Sequence, residues 1–270
     1  MPKVKIDRSR IVRVIPPSKV LEKRFVVQIV YMVNEIGERF KNNVFAKLSK
    51  KTISNFTDER KGVFSKQFLQ LAKYWSEKLV DQFSGDRIAT LVAKCMSGID
   101  SRSKKSLCEE LEKAIGIDTS GILKDEGVKD TISSMRIETE VWISKLRDET
   151  LQLITADSLR AMSEGKSLHE VLKTFNADID KKKFSARTVA RTQISTYNAL
   201  TLKARALNLG ITEGIWRTSL DERVRRSHFD RDGKVFDLKK GLYSSIDDKF
   251  LLPGIDINCR CTTELLLPIE

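Results

Sequence analysis

The chain has 270 residues, and its 49 Lys and Arg exceed its 37 Asp and Glu, which gives a formal net charge of +12. Hydrophobic residues make up 40% of the chain, which is too much apolar material for a mainly disordered protein. No apolar run approaches the ~20 residues of a membrane-spanning helix, and the basic start lacks the apolar stretch of a signal peptide. We therefore expect a protein that acts in the cytoplasm, or in an assembly formed there, and no membrane partner.

The usage of cysteine, glycine and proline narrows the fold class. The four cysteines are too few for a disulfide framework and predict free thiols in a reducing compartment. The 13 Gly and 5 Pro supply few chain breakers, which favours long helices over a many-turned β sandwich. Composition thus indicates a mainly helical protein of one or two domains.

The first part of the chain alternates between helical patterns and breaks. Residues 1–17 are predicted to form an extended arm with a weak strand pattern at 11–15. Apolar residues then recur at three- and four-residue steps, which predicts amphipathic helices at 18–40, 57–82, 88–96, 106–115 and 128–162. Residues 97–105 are predicted to form a polar linker, and residues 116–127 are rich in turn formers.

The remainder of the chain changes pattern twice. Ser167 and Glu170 form a capping box that opens a helix at 168–175, and a further helix at 184–209 is closed by Gly210. Short strands at 215–218 and 235–236 then flank a short helix at 221–228.

These elements predict a mainly α fold, with an elongated helical N-terminal body and a small α+β C-terminal module. We divide the chain into an extended arm at 1–17, a helical body at 18–180 with a break near 97–127, and an α+β domain at 181–270.

The positive charge is concentrated in one stretch. Residues 181–240 hold 15 basic and 6 acidic side chains, a net charge of +9, whereas residues 241–270 hold 2 basic and 5 acidic ones. Clustered Lys and Arg are typical of proteins that bind a phosphate backbone, because neutralised phosphates release counterions. The stretch therefore predicts non-specific contact with double-stranded DNA, and a well-solvated basic surface is the alternative.

Six arginines of this stretch are the predicted contacts for DNA or a protein partner: Arg187, Arg191, Arg217, Arg223, Arg225 and Arg226. The first two lie four residues apart on one helical face, where guanidinium groups can grip phosphates or carboxylates. Ion pairing within the fold, for instance with Asp221 or Glu222, is the alternative.

The same stretch contains a candidate metal site. Helical spacing predicts that Asp221, Arg225 and His228 share one helix face. With Cys259 and Cys261, His228 supplies three donors that zinc accepts, and Asp221 would be the fourth. The predicted cofactor is therefore at most one structural zinc ion. The alternative is a plain core in which the two thiols are buried as small hydrophobic groups.

Two catalytic interpretations use these residues. Cys259 could act as a nucleophile with His228 as its base, or His228 could serve a metal-dependent nuclease with Asn258 or Asp232 as a ligand. Neither is favoured, because the sequence specifies no oxyanion hole, no P-loop, no Gly-rich dinucleotide turn and no paired-histidine helix. We expect no enzymatic activity.

One ordered set of motifs stands out between residues 186 and 261. It reads ARTVARTQISTYN, then a helix ending in glycine, then WRTSLDERVRRSHFDRDGK, and finally PGIDINCRC. This set resembles the C-terminal domain of the Mu F-like minor head protein family of tailed phages, also called the phage head morphogenesis family. The matching positions are Ala186, Arg187, Thr188, Arg191, Thr192, Asn198, Gly210, Trp216, Asp221, Arg225, His228, Asp232, Gly233, Pro253, Cys259, Arg260 and Cys261. Gln193 departs from the family, which often carries Glu there.

The resemblance implies a minor structural protein of the virion, inside the capsid near the portal vertex, that joins the head in the host cytoplasm. Its partners would be the portal protein and packaged DNA, whose packaging or ejection it would influence, with major capsid or scaffolding protein as further partners. No enzymatic activity is implied for the domain. The alternative function is a metal-dependent nuclease, or another nucleic-acid-processing enzyme, that uses His228, Cys259 and Cys261.

Overall fold

The described part of the chain contains five long helices. A computed structural model of the protein describes residues 10–13, 16, 18–48, 58–116, 118–119, 121, 127–222, 224–246 and 248–268, but not the side chains of 58–64. The helices are α1 (Lys19–Phe40, continued by a π-helical turn at Lys41–Phe45), α2 (Asp58–Gln82), α3 (Gly85–Ile115), α4 (Lys129–Ser163) and α5 (Leu168–Asn208). None of these helices is long and apolar enough to cross a membrane.

Two stretches that were predicted to separate helices are themselves helical. Residues 97–105 continue α3, so the predicted linker is wrong. Although serines and lysines dominate these residues, Ile99 and Leu107 are spaced eight residues apart, lie on one helical face and are almost completely buried. Likewise, α5 runs without interruption through residues 176–183, where Ile179 is buried. The capping box at the start of α5 is confirmed: the backbone N–H of Ser167 donates to Glu170 Oε2 at 2.8 Å.

The chain forms two compact units that interleave in sequence. The first unit comprises the described residues of Met1–Lys23, Val92–Glu138 and Arg191–Glu270, and the second those of Arg24–Leu91 and Thr139–Ala190. The domain boundaries at residues 17 and 180 therefore remain predictions. The confirmed part of the expectation is the fold class, which is mainly α with a small sheet-containing C-terminal region.

An aromatic cluster forms the centre of the second unit. Phe40 stacks on Phe175 with ring centroids 5.9 Å apart, and Phe45 and Phe68 pack edgewise or tilted around them. Aromatic residues at three- and four-residue steps along a helix lie on one face, which is the pattern of core packing. α1 and α5 approach closely beside this cluster, because a Cβ at Gly37 would lie 2.9 Å from Ile179 Cδ1.

The sheet belongs to the first unit. Its four strands lie in the order β1 (Ile11–Val12), β6 (Thr262–Leu266), β2 (Glu213–Arg217) and β3 (Val235–Asp237), and each neighbouring pair is antiparallel. A separate hairpin pairs β4 (Leu242–Ser244) with β5 (Lys249–Leu251). The last described strand, β6, is thus an inner strand that pairs with the Trp216 strand.

Buried side chains join the sheet to the ends of two helices. Leu107 of α3 and Leu202 of α5 share one hydrophobic cluster with Trp216 and Leu265, which come from the two central strands. Trp216 is fully buried, and aromatic side chains of this size contribute strongly to a small core. This cluster fixes the strands on which the candidate site depends.

The short helix of the module is shorter than predicted. It is α6 (Arg226–Phe229), and it begins after Arg225, whose extended backbone (φ −62°, ψ 142°) interrupts the helix. Asp221 lies in a preceding turn, where the backbone N–H of Val224 donates to its carbonyl. The prediction that Asp221, Arg225 and His228 share one helix face is therefore wrong.

Candidate metal centre

His228, Cys259 and Cys261 converge in the interior of the first unit. The Nδ1 atom of His228 lies 3.5 Å from the sulfur of Cys259 and 3.5 Å from the sulfur of Cys261. One ligand atom from each residue lies within 4.8 Å of the others, and all three side chains are buried. The structure thus brings together three of the four predicted metal ligands.

Asp221, the predicted fourth ligand, is not part of this group. Its carboxylate forms a two-point ion pair with the Arg260 guanidinium, in which Nη2 lies 2.7 Å from Oδ1. Because Arg260 stands between the two cysteines, its exposed side chain and their buried ones point to opposite sides of the segment. Asp221 therefore tethers the outer side of this segment.

The other ring nitrogen of His228 faces a carboxylate. Nε2 lies 3.2 Å from Asp256 Oδ2, which also accepts a hydrogen bond from Arg225 Nη1 at 3.0 Å. A carboxylate beside Nε2 favours the tautomer that carries its proton there, since an N–H donates and an ionised carboxylate only accepts. Nδ1 is then left with a lone pair directed at the two sulfurs.

Helix α5 holds the cysteine segment in place. Thr192 Oγ1 accepts a hydrogen bond from the backbone N–H of Asn258 at 2.9 Å, and the hydroxyl of Ser195 donates to the carbonyl of Cys259 at 3.1 Å. Asn258 has a φ of +57°, a left-handed conformation that asparagine tolerates better than most residues. These contacts fix the backbone just before the two sulfurs.

Trp216 and Arg231 form the wall beside the histidine. The Trp216 ring packs edge-to-face with the imidazole, with centroids 5.6 Å apart, and the Arg231 guanidinium lies 5.0 Å from the centre of the Trp216 ring. Both side chains are buried. The indole of Trp216 and the charge of Arg231 each act to lower the pKa of Cys261. The larger effects of the Cys259 contact and of burial outweigh them and raise this pKa overall.

The thiols and the imidazole perturb each other strongly. The hydrogen bond from Cys261 lowers the pKa of Cys259, and the contact with His228 adds to this effect. The same thiol–thiol contact, together with burial, raises the pKa of Cys261. The hydrogen bond with Cys259 also raises the pKa of His228, with a smaller contribution from Asp256. The protonation of each of these three side chains therefore depends on the other two.

The residues of the two catalytic interpretations are engaged in the fold. His228 is only 3% exposed, and both of its ring nitrogens have partners. The carboxylate of Asp232 accepts hydrogen bonds from the backbone N–H and the hydroxyl of Thr218, which clamps the predicted turn at Gly233.

The six predicted arginines have different surroundings. Arg191 lies 3.4 Å from Glu22, Arg217 lies 2.7 Å from Glu264, and Arg225 pairs with Asp256. Within the described ranges, no ion pair involves Arg187 or Arg226, and both are exposed. Arg223 lies outside the described residues.

Sequence reasoning missed the residue that orients the histidine. Asp256 lies on a turn-rich segment, and its distance along the chain from His228 follows no local periodicity. It also missed the acceptor role of Thr192, although Thr192 is among the positions that carry the family resemblance. The sequence did contain one indication of this contact, because Thr192 and the two cysteines all belong to the positions that carry the family resemblance.

Comparison with known proteins supports the resemblance. Residues 152–264 match the model of the family described as "Phage Mu protein F like protein", which confirms the predicted resemblance for the C-terminal part of the chain. The matched region runs from within α4 through α5 and the candidate metal centre into β6. No solved structure matches the chain significantly.

Two curated relatives were found. An uncharacterized protein of Haemophilus influenzae is 27% identical over 97% of this chain and 57% of its own length. A protein of Enterococcus faecalis named NAD(+)–arginine ADP-ribosyltransferase EFV is 30% identical over 44% of this chain and 26% of its own length. The chain thus spans little more than half of the first relative and about a quarter of the second.

Proposed function

We propose, from the match of residues 152–264 to the phage Mu protein F-like family, that this chain is a minor head protein of a tailed phage. Such a match suggests a role in phage head morphogenesis. In the proposed role the protein associates with the portal protein during head assembly, remains inside the capsid near the portal vertex, and contacts packaged DNA. That family match is the observation that carries the proposal.

Two residues that carry the family resemblance make hydrogen bonds that hold the fold together, which supports a structural role. Thr192 holds the backbone of Asn258, and Asp232 clamps a turn through Thr218. Both hydrogen bonds join segments of one small module. We therefore assign the chain no catalytic step.

Exposed basic residues support the contact with DNA. Because three of the predicted arginines are paired with carboxylates, their charge is partly compensated within the fold. Of the described basic residues at 191–240, Arg226, Lys234, Lys239 and Lys240 are exposed and take part in no ion pair. We assign the phosphate contacts of this stretch to these four residues, since cations without a protein partner are free to replace counterions.

Exposed aromatic residues support a protein partner. Tyr243 of β4 and Phe250 of β5 are directly opposite each other in the hairpin, with ring centroids 5.3 Å apart, and are 50% and 58% exposed. Tyr and Phe are enriched at protein interfaces relative to the rest of the surface. We assign the contact with the portal protein to this hairpin.

The activity in the name of the Enterococcus relative is not transferred to this chain, because the match covers 26% of that protein.

Co-purification with the portal protein tests the proposal. The full chain is co-expressed with the portal protein of the same phage, and portal rings are isolated by affinity capture and size exclusion. We expect the chain to elute with the ring, and a Tyr243→Ser, Phe250→Ser double variant to elute at least about tenfold less, as for loss of interface anchors. Phe184→Ser is the matched control, because Phe184 is an exposed aromatic residue of the second unit. Wild-type chain that never elutes with the ring would overturn the portal role.

A further inference from the structure

We propose that His228, Cys259 and Cys261 bind one zinc ion, with Asp256 as the residue that positions the imidazole. This inference concerns the small module itself and is independent of its role in the phage head. The set of two thiolates and one imidazole is one that tetrahedral zinc accepts, and soft sulfur donors disfavour magnesium and calcium.

The distances fit a tetrahedral site. A zinc ion with Zn–S bonds of about 2.3 Å and Zn–N bonds of about 2.0–2.1 Å holds its sulfur and nitrogen ligands about 3.6 Å apart. Each of the two sulfur-to-Nδ1 distances here is 3.5 Å. Both sulfur-to-nitrogen distances therefore match those between ligands of one zinc ion, and the three ligand atoms lie within 4.8 Å of one another.

The second nitrogen of the histidine has the partner that a zinc ligand requires. Histidines that bind metal donate their other ring N–H to a carboxylate, a carbonyl or water, which fixes the tautomer and the ring orientation. Asp256 is in this position, 3.2 Å from Nε2, and is itself held by Arg225.

The ligand set itself compensates the charge of the ion. Two thiolates neutralise a divalent ion, and the Asp256 carboxylate beyond the imidazole is paired with Arg225. A buried ion needs such compensation, because an unpaired charge is costly away from water.

A zinc ion here would join two segments that are distant in sequence. His228 lies on α6, and the two cysteines precede the inner strand β6, 31 and 33 positions further along the chain. Metal binding would therefore stabilise the closed form of the module, as it does in small domains whose folding is coupled to a metal. The fourth coordination position falls to a donor outside these three residues.

Metal analysis of the full chain tests the proposal. The protein is expressed without a polyhistidine tag in zinc-supplemented medium and purified without chelator, and its metal content is measured by mass spectrometry. We expect about one zinc per chain in the wild type, and about one in the Cys95→Ser, Cys108→Ser control, because both residues lie outside the cluster. Cys259→Ser and Cys261→Ser are expected to lose the metal.

Cobalt binding supplies a measurement that does not depend on any variant. Titration of Co²⁺ into the metal-free wild-type chain is expected to give sulfur-to-cobalt charge-transfer absorption that saturates at one equivalent and disappears on addition of zinc. Asp256→Asn is expected to keep this stoichiometry but bind about 10–100-fold more weakly. A wild-type chain that carries no zinc and gives no cobalt spectrum, or that contains a disulfide between Cys259 and Cys261 as purified, would overturn the proposal.

Discussion

Trp216 in β2 and Thr263 in β6 are directly opposite each other in the antiparallel ladder at the centre of the sheet. β6 lies between β2 and β1, so the last strand of the described chain pairs with partners on both of its sides. Because an inner strand contributes hydrogen bonds to two ladders, the small module depends on a segment that follows the cysteines. The site and the sheet are therefore closed by the same stretch of chain.

Truncation after Pro253 should unfold this module. The change removes both cysteines and β6, which leaves β1 and the inner edge of β2 without their partner. We expect loss of the near-ultraviolet circular dichroism of Trp216 and of one cooperative unfolding transition. Retention of the full cooperative transition would show that the segment is dispensable.

Replacement of Gly254 by alanine should destabilise the same unit. Gly254 has a φ of +90°, and a Cβ there would lie 3.1 Å from Ser195 Oγ and 3.3 Å from Ala199 Cβ. Backbone strain of this kind costs about 1–3 kcal/mol, which should appear as a lower free energy of unfolding in urea titrations. Gly85→Ala is the control, because nothing lies within 4 Å of its Cβ position, and its effect should stay within about 0.5 kcal/mol. Equal stability of both variants would contradict the assigned conformation of Gly254.

A buried ion pair should make a large contribution within the first unit. Arg205 Nη2 lies 2.8 and 2.9 Å from the two carboxylate oxygens of Asp100, and the arginine side chain is 2% exposed. Asp100→Ala should lower the free energy of unfolding by about 3–5 kcal/mol, because it removes the carboxylate from a buried guanidinium. The exposed pair of Glu110 and Lys113 supplies the control, and Glu110→Ala should leave the unfolding midpoint unchanged. Similar midpoints for both variants would refute this ranking.

Charge reversal at the exposed basic residues should weaken DNA binding. Arg226→Glu and Lys240→Glu each remove a cation that the proposal assigns to a phosphate contact, so the slope of log affinity against log salt should become less steep by about 0.9 for each phosphate no longer neutralised. Arg217→Glu is not a clean control, because it also breaks the pair with Glu264. Arg187→Glu measures how much Arg187, a predicted DNA contact in the second unit, contributes to the affinity. Affinity for a duplex that does not change with salt in the wild type would remove the DNA role.

Local patterns in the sequence predicted most of the elements. The apolar spacing of Phe25, Ile29 and Ile36 identified the buried face of α1, and Ser167 and Glu170 identified the start of α5. These features depend on residues within one or two turns of each other, so they can be recognised without knowledge of the fold.

The uninterrupted course of the long helices and the contacts between residues distant in sequence could not be predicted in the same way. The residues around Ile99 indicate a linker because polar side chains outnumber the buried ones, whereas burial of a few positions is sufficient to continue a helix. The convergence of His228 with the two cysteines followed from donor chemistry, but the place of Asp256 depends on tertiary contacts. Likewise, the partner of Arg191 is Glu22, which neither charge patterning nor spacing indicated.

The composition of purified phage particles tests the central claim most directly. Virions and procapsids of the phage that encodes this chain are isolated on density gradients, and their proteins are identified and quantified by mass spectrometry. The proposed role predicts peptides from residues 152–264 in both kinds of particle, in few copies, and their loss from particles assembled without the portal protein. Complete DNA-filled virions that contain no peptide of this chain would contradict it.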